Sequence, residues 1–363
     1  MFLVLIDTSA YEDVRLSFKG AVFESLKGLS DDEKITILGC SVIDKEIDSH
    51  LLESVVASVN RLKKTSGDFD RVTRDDLGEI SRLLVDDKLL KKNVYEERKG
   101  RKQEFFDSVT FELIDLAYAD VETIFDNYFA LMPPFGEGKK KHEFPDAFIL
   151  SAFVKSYEDK LASTCVVSQD SDWHNYLEKY PEIRRFHKIS EFSDFVNKNY
   201  DSEVTKRLGY VLDRRIDVIS RYIKDNVEDY LFEVDDCWLD SEVELTPSSL
   251  TVNVHNYNVL FISPTGAEIE VTAQFKFDLD VWADDEESAF KDSDTKDWIY
   301  IGRNQYNISV DKEISVMISV SFDSHPDDML QSFTVETVKI PKDLYYISGE
   351  EHNFILVRHW TED

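Results

Sequence analysis

Five carboxylates stand where apolar runs hand over to helices. Asp7 follows the run Phe2–Ile6, and Glu46 falls in the second turn of the helix after the next apolar run. Asp146 sits beside Pro145 at a helix start, and Asp170 and Asp172 follow the run that ends at Ser168. Carboxylates crowded into one pocket repel each other, and their pKa values rise unless a cation sits among them. The donors are all hard oxygen, and no His or Cys has metal-ligand spacing, so the set suits Mg²⁺ or Mn²⁺ and not Zn²⁺. An acid-held Mg²⁺ whose remaining shell is water and phosphate is the usual equipment for phosphodiester hydrolysis. Each acid alone has a plainer reading: Asp7 as a helix N-cap, Glu46 as part of a solvated face, Asp146 as an acid favoured by the helix dipole, Asp170 and Asp172 as an Asx-type turn. Four segments that each bring an acid to such a place make four separate plain readings less attractive.

The elements that would position these acids alternate between strand and helix. Phe2–Ile6 is an unbroken apolar run, as expected of a strand buried on both faces. An amphipathic helix is predicted over residues 12–29, with Val14, Phe18, Val22, Phe23 and Leu26 on one face, then a strand over 35–38. Ser41 suits the N-cap of the next helix, whose stripe is Ile43, Ile47, Leu51 and Val55. Residues 60–142 show no strand-like alternation. Helical period marks 77–90 and 109–131, and between them lies the base-rich stretch 91–102, either a solvated face or a substrate grip. A loop rich in Pro and Gly carries Lys139, Lys140 and Lys141 and leads into a helix that opens at Pro145. A strand over 163–168, a helix over 175–180, a strand over 186–189 and a helix over 192–200 complete the unit. Such alternation predicts a parallel sheet with helices on both faces.

The character then changes. A helical connector is expected over 201–239. From 240 to 363 the pattern has period two: Ile269, Val271, Ala273, Phe275, Phe277, Leu279 and Val281 alternate with polar residues, as do Ile314, Val316, Ile318, Val320 and Phe322. Half-buried strands of this kind predict a separate antiparallel all-β domain, a sandwich or barrel, with the acidic stretch 283–297 as a mobile excursion. The chain holds 73 acidic against 42 basic residues, a net charge of −31. That field repels nucleic acid at long range, so a polyanionic substrate needs local basic groups, metal ions or a partner. Three widely spaced cysteines, Cys40, Cys165 and Cys237, read as reduced, packed thiols. No apolar run has the 18 or so residues of a membrane span, and a cytoplasmic protein is expected.

In order and spacing the acids resemble those of the PIN domain, a Mg²⁺-dependent nuclease fold. The matching motifs are Ile6-Asp7-Thr8-Ser9, Glu46 in SVIDKEIDSHL, Asp146 in EFPDAFILSAF, and Asp170 with Asp172 in VVSQDSDW. The likeness covers residues 1–200, with a helical insertion near 60–142 that the compact members lack, and is nearest to a larger bacterial subgroup. It implies that Asp7, Glu46, Asp146 and Asp170 hold Mg²⁺ or Mn²⁺ and that Asp172 completes the site. It further implies that Ser9 orients a carboxylate, that Lys139, Lys140 and Lys141 contact the substrate backbone, and that the activity is an endonuclease. RNA is the substrate the fold favours, with single-stranded DNA the alternative, and the β domain is offered to a protein partner. A bacterial anti-phage or stress effector is the setting such an architecture suggests. Two other readings stay open: an inactive PIN-like scaffold, which the acidic charge favours, and a phosphoesterase acting on small substrates.

Overall fold

The computed structural model describes residues 1–72, 87–136, 143–200, 203–227, 233–235, 242–246, 249–284, 290–291, 298–299, 302–323, 328–348 and 355–361. The chain forms two compact units, Met1–Tyr200 and Asp201–Asp363. Among the described residues no helix is long and apolar enough to cross a membrane.

The first unit is built on β1 (Phe2–Ile6), whose residues Leu3 to Ile6 are buried. It is the central strand of a five-stranded sheet. The neighbours on one side are β2 (Ile35–Gly39) and β3 (Phe111–Leu113); on the other they are β4 (Thr164–Val167) and β5 (Arg184–Phe186). All four pairings are parallel, so every connection must cross over the sheet, and helices supply the crossovers. The order β3-β2-β1-β4-β5 reverses between β1 and β4. Open α/β sheets place ligands at the carboxyl end of such a reversal.

Between β1 and β2 the single expected helix is two. α1 (Thr8–Asp13) stops early, and α2 (Ala21–Asp31) begins after Gly20. Arg15, Leu16 and Phe18 take left-handed φ values of 58°, 48° and 47°, and Gly20 takes 95°. The expected apolar positions are nonetheless inside. Phe18 and Phe23 pack with Tyr11 and Phe105, their rings 5.0–6.4 Å apart. The break delivers Leu16 and Phe18 to that aromatic core, which a continuous helix would do only for one face.

α3 (Ser41–Val72) carries its predicted stripe inward: Ile43, Ile47, Leu51 and Val55 are all buried. α4 (Asp87–Asp107) runs back along it, since Lys102 meets Asp44 and Asp48 while Lys91 meets Asn60. The predicted helix over 77–90 lies mostly outside the described residues. The base-rich stretch 91–102 is largely engaged within the chain: Lys99 reaches Asp48 at 3.2 Å, Arg101 pairs with Glu97, and Lys102 is only 3% exposed. Burial pushes the Asp48 carboxyl up, but the hydrogen bonds and charges of Lys102 and Lys99 outweigh it and hold the group below its ordinary value. Where a helix was expected over 109–131, the chain forms β3, a short 3-10 turn and α5 (Val121–Ala130). The three residues of β3 are exposed at the sheet edge, so they carry no alternation to read. Gly39 admits β3: a Cβ there would meet the Phe111 ring at 2.6 Å. α6 (Phe144–Ser156) opens with Pro145 in its first turn as expected. α7 (Ser171–Tyr176) and α8 (Ile189–Asn199) complete the unit, with β5 a few residues earlier than the sequence suggested.

In the second unit, β9 (Gly266–Asp284) and β12 (Gly302–Ser321) pair antiparallel along their whole lengths. Each is long enough to take two shorter neighbours end to end. β9 is flanked by β7 (Glu242–Leu245) and β8 (Thr251–Ser263), and β12 by β13 (Thr334–Lys339) and β15 (Ile355–Thr361). The alternating residues predicted from sequence are buried, apart from the half-buried Ile314. Among the described residues the second layer is a helix and not a second sheet. α9 (Glu203–Val227) sets Leu208, Val211, Leu212, Ile219 and Ile223 into the same core as Ile269, Phe275 and Ile318. Of the acidic stretch 283–297, Ala283 and Asp284 end β9, and β10 (Phe290–Lys291) pairs antiparallel with β11 (Trp298–Ile299) just beyond the stretch; the rest of it lies outside the described residues. A further parallel pair joins β6 (Glu233–Asp235) to β14 (Tyr346–Ser348).

Replacing Lys102 tests the arm. Lys102→Met removes a buried ammonium and frees two carboxylates that solvent can reach, so it is expected to cost about 1–3 kcal/mol in urea unfolding. Lys99→Met, at an exposed pair, should change stability by no more than about 0.5 kcal/mol.

Candidate active site

Asp7 is the first residue beyond β1, at the reversal of strand order. It is 6% exposed. Its amide still donates to the Val167 carbonyl of β4, at 2.9 Å, so the backbone fixes it between the two strands. Its side chain makes no capping hydrogen bond to α1. Instead, Oδ2 accepts from Ser9 Oγ and from Ser168 Oγ, the latter at 2.8 Å. Both hydroxyls are held in turn. Ser9 Oγ accepts from the Gln169 amide at 3.0 Å, and Ser168 Oγ accepts from the Asp170 amide at 3.0 Å. The turn after β4 therefore locks the two hydroxyls that lock Asp7. Burial pushes the Asp7 carboxyl up, and the hydrogen bonds from Ser9 and Ser168 oppose the shift.

Thr8 serves a different acid. Its Oγ1 donates to Glu46 Oε2 at 3.0 Å, so the tripeptide Asp7-Thr8-Ser9 bridges β1 to α3. Burial raises the Glu46 pKa; Thr8 opposes this, while the charges of Asp7 and Glu143 add to it. Asp146 lies in the first turn of α6. Burial pushes its carboxyl up to about 8, against a hydrogen bond from the Trp173 indole; Asp7 and Glu143 push it further. Glu143 also hydrogen-bonds Asp146. Asp7, Glu46, Asp146 and Glu143 thus form one electrostatically connected group at the carboxyl edge of the sheet.

The remaining candidates sit differently. Asp170 is the N-cap of α7, its Oδ1 accepting from the Asp172 amide at 2.7 Å. That is the Asx-type geometry the local sequence allows, and Asp170 connects to Asp7 through Ser168. Asp172 occupies the first turn of α7. Lys139, Lys140 and Lys141 lie outside the described residues. Among the described residues, no group of three or more His, Cys, Asp and Glu side chains is gathered closely enough to hold a metal ion.

Three contributors escaped the sequence reading. Ser168 reads in the sequence only as the last residue of an apolar strand. Glu143 sits three residues before Asp146, and that spacing at a helix start was its available signal. Trp173 is 1% exposed; its position in the first turns of α7, beside Asp170 and Asp172, was legible, but not its reach to Asp146.

These shifts set a pH dependence. The folded protein keeps the Asp146 proton up to about 8, whereas the unfolded chain loses it near 3.8; Asp7 and Glu46 shift in the same direction. Between those values the native state binds more protons than the unfolded state, so stability falls as pH rises. Thermal unfolding in EDTA is the measurement. From about pH 4 to about pH 8 the Tm of Asp146→Asn, which carries no titrating group there, should gain steadily on that of the unaltered protein. A constant difference would contradict the buried, proton-holding cluster.

The family model described as PIN domain matches residues 4–173. The match spans the strands, helices and turns that carry Asp7, Glu46, Asp146, Asp170 and Asp172, and it ends on Trp173. No curated protein and no solved structure matches the chain. With its parallel sheet, its acids at the strand-order reversal and this match, the N-terminal unit has the PIN-domain fold.

Proposed function

We propose that the chain is a metal-dependent endonuclease that hydrolyses RNA, with single-stranded DNA as a second substrate. PIN domains are in general metal-dependent nucleases. The observation that carries the reading is the clamped Asp7 at the strand-order reversal, in electrostatic contact with Glu46 and Asp146.

The donor chemistry fits Mg²⁺ or Mn²⁺. The oxygens are hard, and the carboxylates raise one another's pKa values, a repulsion that a divalent charge offsets. Asp7, Glu46, Asp146 and Asp170 stand too far apart here to hold the ion together and would have to draw in around it, with Asp172 completing the site. When bound, such an ion supplies positive charge to the scissile phosphate and a water acidified towards neutrality. The chain's own groups do the rest. Ser9 and Ser168 keep Asp7 oriented, and Thr8 does the same for Glu46. Burial keeps a proton on Asp146 up to about pH 8, and holding a cation there would require its release. Trp173 orients the Asp146 carboxyl through its indole hydrogen bond. The second unit joins the nuclease to a partner or regulates it, which suits an effector of a bacterial anti-phage or stress system. The net charge of −31 favours a second reading, a scaffold that binds without cutting.

End-labelled RNA and single-stranded DNA, incubated with Mn²⁺ or EDTA, separate the two. Cleavage should require the metal and fall by at least about 100-fold in Asp7→Asn and Asp146→Asn, and by about 10–100-fold in Ser9→Ala. Cleavage that persists in both acid variants removes this site from the reaction. Metal binding by calorimetry with no cleavage of either polymer supports the scaffold.

A further inference from the structure

The proposed function leaves open how so acidic a chain holds a polyanion. The base-rich stretch on α4 does not answer it, because Lys91, Lys99, Arg101 and Lys102 are engaged with neighbours. A second group of basic side chains does lie at the site. Ser168, whose hydroxyl holds Asp7 at 2.8 Å, presents its carbonyl to His174 Nε2 at 2.7 Å. A carbonyl only accepts, so this nitrogen carries the hydrogen. The His174 ring stacks on the His187 ring, with centroids 4.3 Å apart and planes 33° from parallel. Arg185 Nη1 donates to the His174 backbone carbonyl at 2.9 Å. Arg185 and His187 are both exposed. A continuous set of contacts therefore runs from Asp7 through Ser168 and His174 to Arg185 and His187.

We propose that Arg185 and His187, positioned by His174 on the β5 side of the carboxylate cluster, bind the phosphodiester backbone of a single-stranded nucleic acid. The inference rests on the nuclease reading above and names its substrate grip. Three physical points carry it. Sheet pairing fixes the residues: the Ser168 amide donates to the Phe186 carbonyl at 3.0 Å, which sets β5 beside the end of β4. Arg185 uses one N–H on the His174 carbonyl, and the other donors of its planar fork suit a phosphate. Finally, charges beyond about 8 Å are largely screened at physiological salt. The groups next to the scissile bond then decide binding more than the net charge of the whole chain. Glu191 lies close by, but its Oε2 accepts from the His187 and Lys188 amides at 2.9 and 3.2 Å.

The test uses the full chain with a fluorescein-labelled single-stranded RNA, read by anisotropy, and with cleavage kinetics in Mn²⁺. Arg185→Gln removes a charge and keeps hydrogen-bonding shape, His187→Asn removes the ring and keeps a hydrogen-bonding group, and both sites are exposed, so Tm should hold. Each is expected to raise Kd and KM by several-fold to about tenfold, with kcat within about twofold. Arg185→Gln should also lower the slope of log Kd against log salt by about one. Arg185→Lys should restore part of the affinity. Unchanged Kd and KM in both variants would overturn the strip and leave the nuclease reading intact, as would an intact protein that cleaves RNA with the same salt slope as the variants. The reverse outcome, RNA binding that depends on Arg185 and His187 with no cleavage in any metal, overturns the nuclease reading and retains the strip. An unaltered protein that binds no RNA overturns the strip.

Discussion

The rest of the N-terminal unit depends on how a carboxylate can be kept inside a protein. Asp7 is nearly buried at the end of the central strand, where an uncompensated charge is costly. Two hydroxyls make the position tenable, and both come from chain brought there by the sheet. Ser9 arrives because α1 starts directly after β1. Ser168 arrives because β4 pairs with β1 in parallel and ends level with it. The clamp therefore exists only if the strand order reverses where it does. Swap β4 for another neighbour, and Asp7 loses a hydrogen bond as well as a cleft to face.

The same geometry explains why the neighbouring acids are held so differently. Glu46 is held by Thr8 and Asp146 by Trp173, and each feels Asp7 from its own side. Asp170 is half structural, since it caps α7 while Ser168 ties its amide to the clamp. Its side chain makes the Asx-type turn that the sequence allowed, while its amide serves the clamp. On the β5 side the contacts lead from Ser168 through His174 to Arg185 and His187. The carboxylates of the site thus lie towards α3 and α6 and an arginine towards β5, an arrangement that a net charge over the whole chain hides.

What the sequence disclosed follows from how local each signal is. β1, β2 and β4 were legible because strands buried on both faces are simple apolar runs. The α3 stripe was legible because one face of a long helix repeats. The helix break at Arg15–Gly20 was not: Val14, Phe18 and Val22 are apolar at helical spacing, and only the distant aromatic core shows that Phe18, with Leu16, arrives by left-handed turns. β3 was invisible because three exposed edge residues have no pattern, and its place depends on Gly39 making room for Phe111. In the second unit the alternation of β9 and β12 was plain. That α9 would cover the sheet required knowing which apolar faces meet, and the stripe Leu208 to Ile219 fitted either a connector or a layer. Within the site, the acids were readable as acids. The hydroxyl just after β4 and the indole from α7 are ordinary residues made functional by contact: Ser168 reaches Asp7 across 161 residues of chain, and Trp173 reaches Asp146 from a different helix.

Helix α4 bears on the site through the same kind of long contact. α4 lies along α3, and Lys102 ties Asp44 and Asp48, the residues that bracket Glu46 on the helix. Those acids leave the helix on a different side from Glu46, so Lys102 does not touch the cluster. It acts on the helix that carries Glu46, fixing the first turns of α3 against a second helix as well as against the sheet. Glu46 sits in the part of α3 nearest β2, where a helix end would otherwise fray. Here α4, which touches none of the cluster's acids, is part of what holds one of them in register.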